Sequence, residues 1–174
     1  MEQSNESKHL SRSDVQQKIE SNIIDRVSGR FSRDFGITIN RDQNNELKLM
    51  ESAKIKVDFI GVDGDGKTVL GEIFVRQGKF LPAQRHKIAS DVLKLITYSK
   101  LYREKEFRLF IIIGCGRDDG SADNSVFKDL DDSNSWLSEA IKVWNIKLIQ
   151  EPLTDEEFND LEAAVSNQKK GTRN

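Results

Sequence analysis

Cysteine is almost absent from this chain, with Cys115 the single copy in 174 residues. One cysteine excludes a disulfide framework and fits a reducing compartment. Cys115 stands between two glycines after a strongly apolar run, with no basic residue adjacent to activate it. It therefore reads as a buried thiol rather than a nucleophile. Histidine is scarce too. His9 and His86 are far apart in the chain, which argues against a histidine-built metal site or catalytic triad. No apolar run reaches membrane-spanning length, and the polar start MEQSNESKHLSRSD has no signal-peptide core. A soluble, cytoplasmic protein is expected. Excess charge of one sign is also missing. The formal net charge of −2 excludes a globally basic nucleic-acid binder but leaves room for a local basic patch.

The length suits one domain with a sizeable core. Residues 1–12 and 166–174 read as disordered tails around a single domain at 13–165. Ser13 or Asp14 is placed to cap a first helix. Along it Val15, Ile19, Ile23, Val27, Phe31 and Phe35 recur every four residues until Gly36 stops it. Strands are expected at 37–40 or 47–50, then at 54–62 and 69–76. A loop at 77–82 ends in Pro82, which suits a helix start. The second helix spans 83–104, with Ile88, Val92, Leu95, Ile96, Ser99 and Tyr102 facing inward. The run at 107–113 is almost wholly apolar, as in a central strand covered on both faces. Residues 116–134 read as a long loop. Its Asp118, Asp119 and Asp123 miss the calcium-loop spacing and form a solvated charge run. A helix at 135–144 carries Trp136 and Trp144 as packing residues. A strand at 146–150 and a last helix capped by Thr154 complete the order.

Residues 54–76, KIKVDFIGVDGDGKTVLGEIFVR, admit two chemistries. GVDGDGKT at 61–68 matches the phosphate-loop pattern G-x-x-x-x-G-K-[ST] letter for letter. A phosphate loop must pass from a strand into a helix, whose free N–H groups hold the phosphates. Here Val69, Ile73, Phe74 and Val75 favour a strand, and Gly71 weakens a helix. The Asp-Gly-Asp-Gly core is instead a hairpin turn, so nucleotide binding is the least favoured of the functions considered. In the hairpin reading, alternation puts Lys56 and Asp58 on one face of the first strand and Glu72 and Phe74 on one face of the second. A turn near Asp65 sets Asp58 across from Glu72, and Lys56 across from Phe74. Two carboxylates side by side repel unless a hard divalent cation sits between them. The bland alternative is an exposed strand face with scattered charges.

This order of elements, with an acid on each of two adjacent strands, resembles the PD-(D/E)xK nuclease superfamily. The resemblance covers roughly residues 14–150. It implies a restriction-endonuclease-like α/β fold: three antiparallel strands, a crossover helix, then parallel strands, with helices flanking the mixed sheet. Asp58 matches the family's first acid and Glu72 the acid of its (D/E)-x-K element. Glu20 sits where some members carry a further acid, and Asp91 and Lys94 lie on the crossover helix. The implied function is divalent-metal-dependent hydrolysis of phosphodiester bonds. Magnesium is then held by Asp58, Glu72 and the Ile73 carbonyl, with Glu20 reaching it through water. The family lysine belongs at position 74, where this chain has Phe74. Its replacement is expected at Lys56, ahead of Lys87, Lys94, Lys79 and Arg76. Arg76, Lys79, Arg85 and Lys87 form an acid-free basic run suited to a nucleic-acid backbone, DNA ahead of RNA. The competing function is a catalytically inactive module of this fold that binds nucleic acid or a protein partner. Homodimerisation is left open.

Overall fold

The computed structural model describes residues 11–40, 45–51, 53–78, 80–117, 125–131 and 135–171. Twelve elements follow in chain order. They are α1 (Arg12–Phe35), β1 (Thr38–Asn40), β2 (Glu46–Lys48), β3 (Lys54–Lys56), β4 (Phe59–Val62), β5 (Thr68–Val75), α2 (Pro82–Leu101), β6 (Phe107–Arg117), α3 (Ser125–Asp131), α4 (Trp136–Val143), β7 (Ile146–Leu153) and α5 (Asp155–Gly171). Five strands form one sheet in the order β1-β4-β5-β6-β7. β1, β4 and β5 pair antiparallel, and β5, β6 and β7 pair parallel. α2 is the crossover between the parallel strands β5 and β6. This is the restriction-endonuclease-like arrangement that the resemblance implied.

Two apolar cores lie on opposite faces of the sheet. α1 and α5 cover one face, where Ile19, Ile23, Val27 and Phe31 meet Val69, Ile73, Phe110 and Leu161. α2, α3 and α4 cover the other, where Ile88, Val92 and Leu95 meet Leu70, Phe74, Ile111 and Ile113. Alternation along β5 therefore sends Val69, Ile73 and Val75 towards α1, and Leu70, Glu72 and Phe74 towards α2. β6, hydrogen-bonded on both sides and covered on both faces, is buried from Leu109 to Gly116. Cys115 is fully buried there.

The segment at 61–68 is a hairpin turn, and β5 follows it directly. Val62 pairs with Thr68. Asp63 Oδ1 accepts the N–H groups of Asp65 and Lys67, and Gly66 takes a φ of 81° that suits glycine. The first helix starts earlier than its sequence pattern suggested: Ser11, not Ser13 or Asp14, is the cap, and Asp14 completes a capping box with it. The last helix is capped as expected, with Thr154 Oγ1 accepting the Glu157 N–H. Asp63 and Glu157 both have pKa values below the usual carboxylate range. Burial works against this in each case. Backbone and Arg108 hydrogen bonds outweigh it at Asp63, and bonds from Arg26, Thr154 and Asn22 outweigh it at Glu157.

Four expectations are corrected. The strand at 54–62 breaks in two. Lys54–Lys56 pairs with β2 in a separate two-stranded sheet, and only Phe59–Val62 joins the main one. The backbone changes partner at the break, with the Val57 N–H bonding the Asn45 carbonyl and the Asp58 N–H that of Gly71. The loop at 116–134 contains α3, whose Val126 and Leu130 pack under the sheet. Asp118, Asp119 and Asp123 lie outside the described residues, as do residues 1–10 of the N-terminal tail and 172–174 of the C-terminal one. α5 runs on to Gly171, past the point where a tail was expected. Trp136 is 70% exposed and so is no core residue, while Trp144 rests under the Lys100 ammonium.

Gly71 faces α1 opposite Phe59, whose ring lies across the glycine where a Cβ would stand. That ring is buried and packs edge-on against Phe31. Gly71→Ala should therefore overpack this layer and lower stability by about 1–3 kcal/mol, read from chemical denaturation. A neutral effect would mean that the Phe59 ring swings clear at little cost.

Candidate functional site

Asp58 and Glu72 come together as the hairpin register requires. Phe59 pairs with Gly71, so the next step along the register sets Asp58 beside Glu72. Asp58 is held by its backbone to Gly71, and its Oδ2 accepts the Ile73 N–H at 2.7 Å. Its carbonyl takes the Asn45 amide at 2.8 Å. Glu72 is 3% exposed and points towards α2.

α2 meets the two acids with charged residues at positions 87, 91 and 94. The spacing i, i+4, i+7 lines one face of a helix. Asp91, itself 6% exposed, bridges the flanking lysines: Lys87 Nζ lies 3.0 Å from one carboxylate oxygen and Lys94 Nζ 3.0 Å from the other. Lys94 reaches on to Glu72 Oε1 at 2.6 Å and donates to the Lys56 carbonyl at 3.2 Å. Glu72 Oε1 is buried and accepts no hydrogen bond of good geometry, so its contact with Lys94 is an ion pair. Phe74, where the resemblance leads one to expect a lysine, is buried against Phe80, with the Lys87 ammonium 5.6 Å from its ring centre.

The electrostatics record the crowding of acids. Burial, then the Asp58 charge, push Glu72 up to about 8, with Asp91 adding to the rise and Lys94 opposing it. Glu20 on α1 is raised to about 7 by burial, Asp58 and Asp91, against Lys87. Both lysines move up as well. Burial opposes their charge, but Asp91 beside Lys87, and Glu72 with Asp91 beside Lys94, outweigh it. Both therefore remain ammonium ions at neutral pH.

Of the residues singled out in the sequence, Asp58, Glu72, Glu20, Lys87, Asp91 and Lys94 share this site. Lys56 does not lie opposite Phe74. The break at Val57 and Asp58 puts it in the β2-β3 hairpin with an exposed side chain, and only its carbonyl touches the site. Arg76 follows β5 and is fixed through its N–H to the Gly114 carbonyl. Arg85 pairs with Asp129 on α3 and stacks over Phe80. Lys79 is outside the described residues. Asp91 as a bridge and Lys94 as the nearest ammonium are what the sequence reading ranked too low. Their spacing with Lys87, one step round α2 from Ile88, Val92 and Leu95, is the signal that marks them. Among the described residues no three histidine, cysteine or carboxylate side chains close round one point as a metal cage. No helix among them is long and apolar enough to cross a membrane.

A pH dependence follows. Glu20 and Glu72 bind protons more tightly folded than unfolded, where a glutamate titrates near ~4.3. Their contribution to stability is complete below that pH and is lost as pH rises through about 7 and 8. In EDTA the melting temperature should fall from pH 5 to pH 8.5, and added magnesium should restore it most at the alkaline end. A melting temperature flat across this range, with or without the cation, would show that the acids are not coupled as described.

No family model and no curated protein sequence matches the chain. Among solved structures it is similar to the crystal structure of a repair endonuclease from Pyrococcus abyssi, with 12% sequence identity and a TM-score of 0.41. The similarity covers 87% of this chain and 50% of that one, so the chain spans half the length of that protein.

Proposed function

We propose that this chain is a divalent-metal-dependent nuclease of the PD-(D/E)xK type, with Asp58 and Glu72 as metal ligands and Lys94 in the role of the family lysine. The observation that carries the reading is the ion pair of Lys94 with Glu72 beside Asp58, which supplies from α2 the ammonium that Phe74 removes from β5. The donor set fits magnesium. Two adjacent carboxylates repel, and the buried Glu72 Oε1 has unused accepting capacity. Magnesium takes hard oxygen ligands and is commonly held by one or two carboxylates, with waters and substrate phosphates filling the rest, so a closed protein cage is not required.

When bound, the metal supplies Lewis acidity and a water of lowered pKa. The chain's own residues do the remaining work. Asp58, with Oδ2 tied to the Ile73 N–H, presents its other oxygen in a fixed direction. Lys94, kept protonated by Glu72 and Asp91, acts as a charge and hydrogen-bond donor towards the phosphate or the attacking water, not as a base. Lys87 stands ready for a neighbouring phosphate oxygen. Glu20, coupled to Asp58 and Asp91, would hold a water of the metal's shell. Arg76, Lys79 and Arg85 contribute charge to the nucleic-acid backbone, DNA ahead of RNA.

The inactive-module reading draws on one observation, the buried Phe74 at the lysine position. One assay separates the two. Purified protein is incubated with mixed single- and double-stranded DNA and RNA in magnesium, manganese or EDTA. Cleavage in either metal and none in EDTA is expected. Binding without cleavage in both metals would return the chain to the inactive module.

A further inference from the structure

At the amino ends of β6 and β7, where α2 and α4 both finish, the surface folds into a cleft of about 380 Å³ that the proposed cleavage does not use. Lys100, Arg103 and Lys105 line it together with Trp144, Asn145 and the half-buried Phe107. The three cations and Asn145 are exposed, and Trp144 is 38% exposed, so the walls are open to a ligand from solvent. No carboxylate among the described residues lines the cleft.

The cations of this cleft meet aromatic rings rather than acids. Lys100 Nζ stands 4.6 Å from the Trp144 ring centre, and Lys105 Nζ 5.8 Å from that of Tyr102. Neither lysine, nor Arg103, pairs with a carboxylate among the described residues. Lys87 and Lys94 differ in this respect, since Asp91 and Glu72 face them at ion-pair distance. The acids beside the cleft in sequence are directed elsewhere. Glu106 pairs with Lys67 at 2.8 Å, and Glu104 lines the neighbouring depression around Gly66 and Thr68. Lys105 stands between the two depressions. A cation held by a ring keeps its full charge, so the cleft gathers three positive charges that no described acid balances. In a chain of net charge −2 this is local segregation, not a general excess of basic residues.

We infer that this cleft binds the phosphate backbone of a nucleic-acid strand. A guanidinium fork and two ammonium groups are the donors that phosphates take, and the exposed Asn145 amide adds a neutral one. A strand offers several phosphates to three separate charges, and each contact releases condensed counterions, a gain that a single small anion does not bring. The cleft and the proposed metal site share α2. Lys100 follows Lys94 by six residues, about 9 Å along the axis and ~120° round it. A strand that meets both therefore turns round α2 instead of lying straight along it. The contact lies at the opposite end of α2 from Arg85 and adds to the basic run there. The inference deepens the nuclease reading, on which only the identity of the strand as substrate rests.

The test reads Trp144 itself. Trp136→Phe in the full chain leaves Trp144 as the single tryptophan, and Trp136 is too exposed for the fold to need it. Single-stranded and duplex oligonucleotides are titrated into this variant in EDTA, which stops cleavage. A change in Trp144 emission is expected, with an affinity that falls steeply between about 50 and 200 mM salt. Lys100→Gln, Arg103→Gln and Lys105→Gln, combined, should weaken binding at least about tenfold at low salt and lower the slope of log Kd against log salt by about 1 per cation. Circular dichroism checks that the variants are folded, and the loss in cleavage should fall on KM. Oligonucleotide binding that leaves Trp144 emission unchanged, or a salt slope that the triple variant does not alter, overturns the cleft. An equal response to polyglutamate or to inorganic phosphate also overturns it, marking a site for an acidic protein or a small anion. Strand binding through the cleft, with no cleavage in magnesium or manganese, keeps the inference and removes the nuclease. Cleavage whose KM the triple variant leaves unaltered, with Trp144 silent, does the reverse.

Discussion

Glu72→Gln is expected to abolish magnesium-dependent cleavage and to leave the metal-free protein at least as stable as wild type above pH 8. The two effects have one cause. Glu72 is nearly fully buried, and its ionised form is penalised by burial and by Asp58, so its pKa stands at about 8. In the absence of a cation the fold pays on the order of 3–5 kcal/mol to ionise it at high pH. Glutamine keeps the shape and removes that penalty. It also removes a metal ligand. A Lewis-acidic metal supplies several kcal/mol of transition-state stabilisation, and at about 1.4 kcal/mol per tenfold this is a loss of ~10³-fold or more. Asp58→Ala should match it in activity. Its effect on stability should differ, because Asp58 Oδ2 holds the Ile73 N–H and alanine leaves that donor without its partner. Cleavage kinetics and denaturation, run on the same preparations from pH 6 to 9, measure both. Retained activity in Glu72→Gln removes Glu72 from the metal site. A large loss of metal-free stability at high pH would mean that its ion pair with Lys94 outweighs the repulsion.

The carboxylate pair was legible in the sequence because hairpin geometry is local. A Gly-rich turn and strand alternation were enough to set Asp58 against Glu72, and the same turn chemistry set aside the phosphate-loop match at 61–68. The ammonium was not legible by that route. Extending alternation back from Asp58 to Lys56 assumed one continuous strand, and the chain changes hydrogen-bonding partner at Val57. Val57 and Ile60 both pack on the α2 side, whereas strict alternation over three residues puts them on opposite faces. What the sequence did hold was the 87, 91, 94 spacing on α2. Its meaning depends on which face of the helix meets β5, and Ile88, Val92 and Leu95 set that orientation through tertiary packing. α3 was missed for a related reason. It is a seven-residue helix whose buried residues, Val126 and Leu130, are too few to make a visible stripe in a polar segment.

Lys94→Ala should lower kcat by ~10²–10³-fold, the usual loss for one charge-stabilising donor, while Lys56→Ala should stay within about twofold of wild type, as for an exposed surface charge. Lys94 Nζ lies 2.6 Å from Glu72 and 3.0 Å from Asp91. Lys56 is exposed on a different sheet. Lys94→Arg should recover little, because the broad guanidinium fork does not fit a place shaped for a point charge between two carboxylates. Asp91→Asn tests the bridge: it frees both ammonium groups from their anchor, so kcat should fall while the magnesium dependence stays, since Asp91 positions the lysines and holds no metal. Removing Lys94 also leaves the Glu72 and Asp91 carboxylates with less positive charge, so thermal melts must accompany the kinetics and rates are compared well below each melting temperature. An activity loss in Lys56→Ala equal to that in Lys94→Ala would overturn the assignment and return the catalytic ammonium to β3. Full activity in Lys94→Ala, with Lys87→Ala inactive, would move it about two turns towards the start of α2, to the ammonium that lies over Phe74.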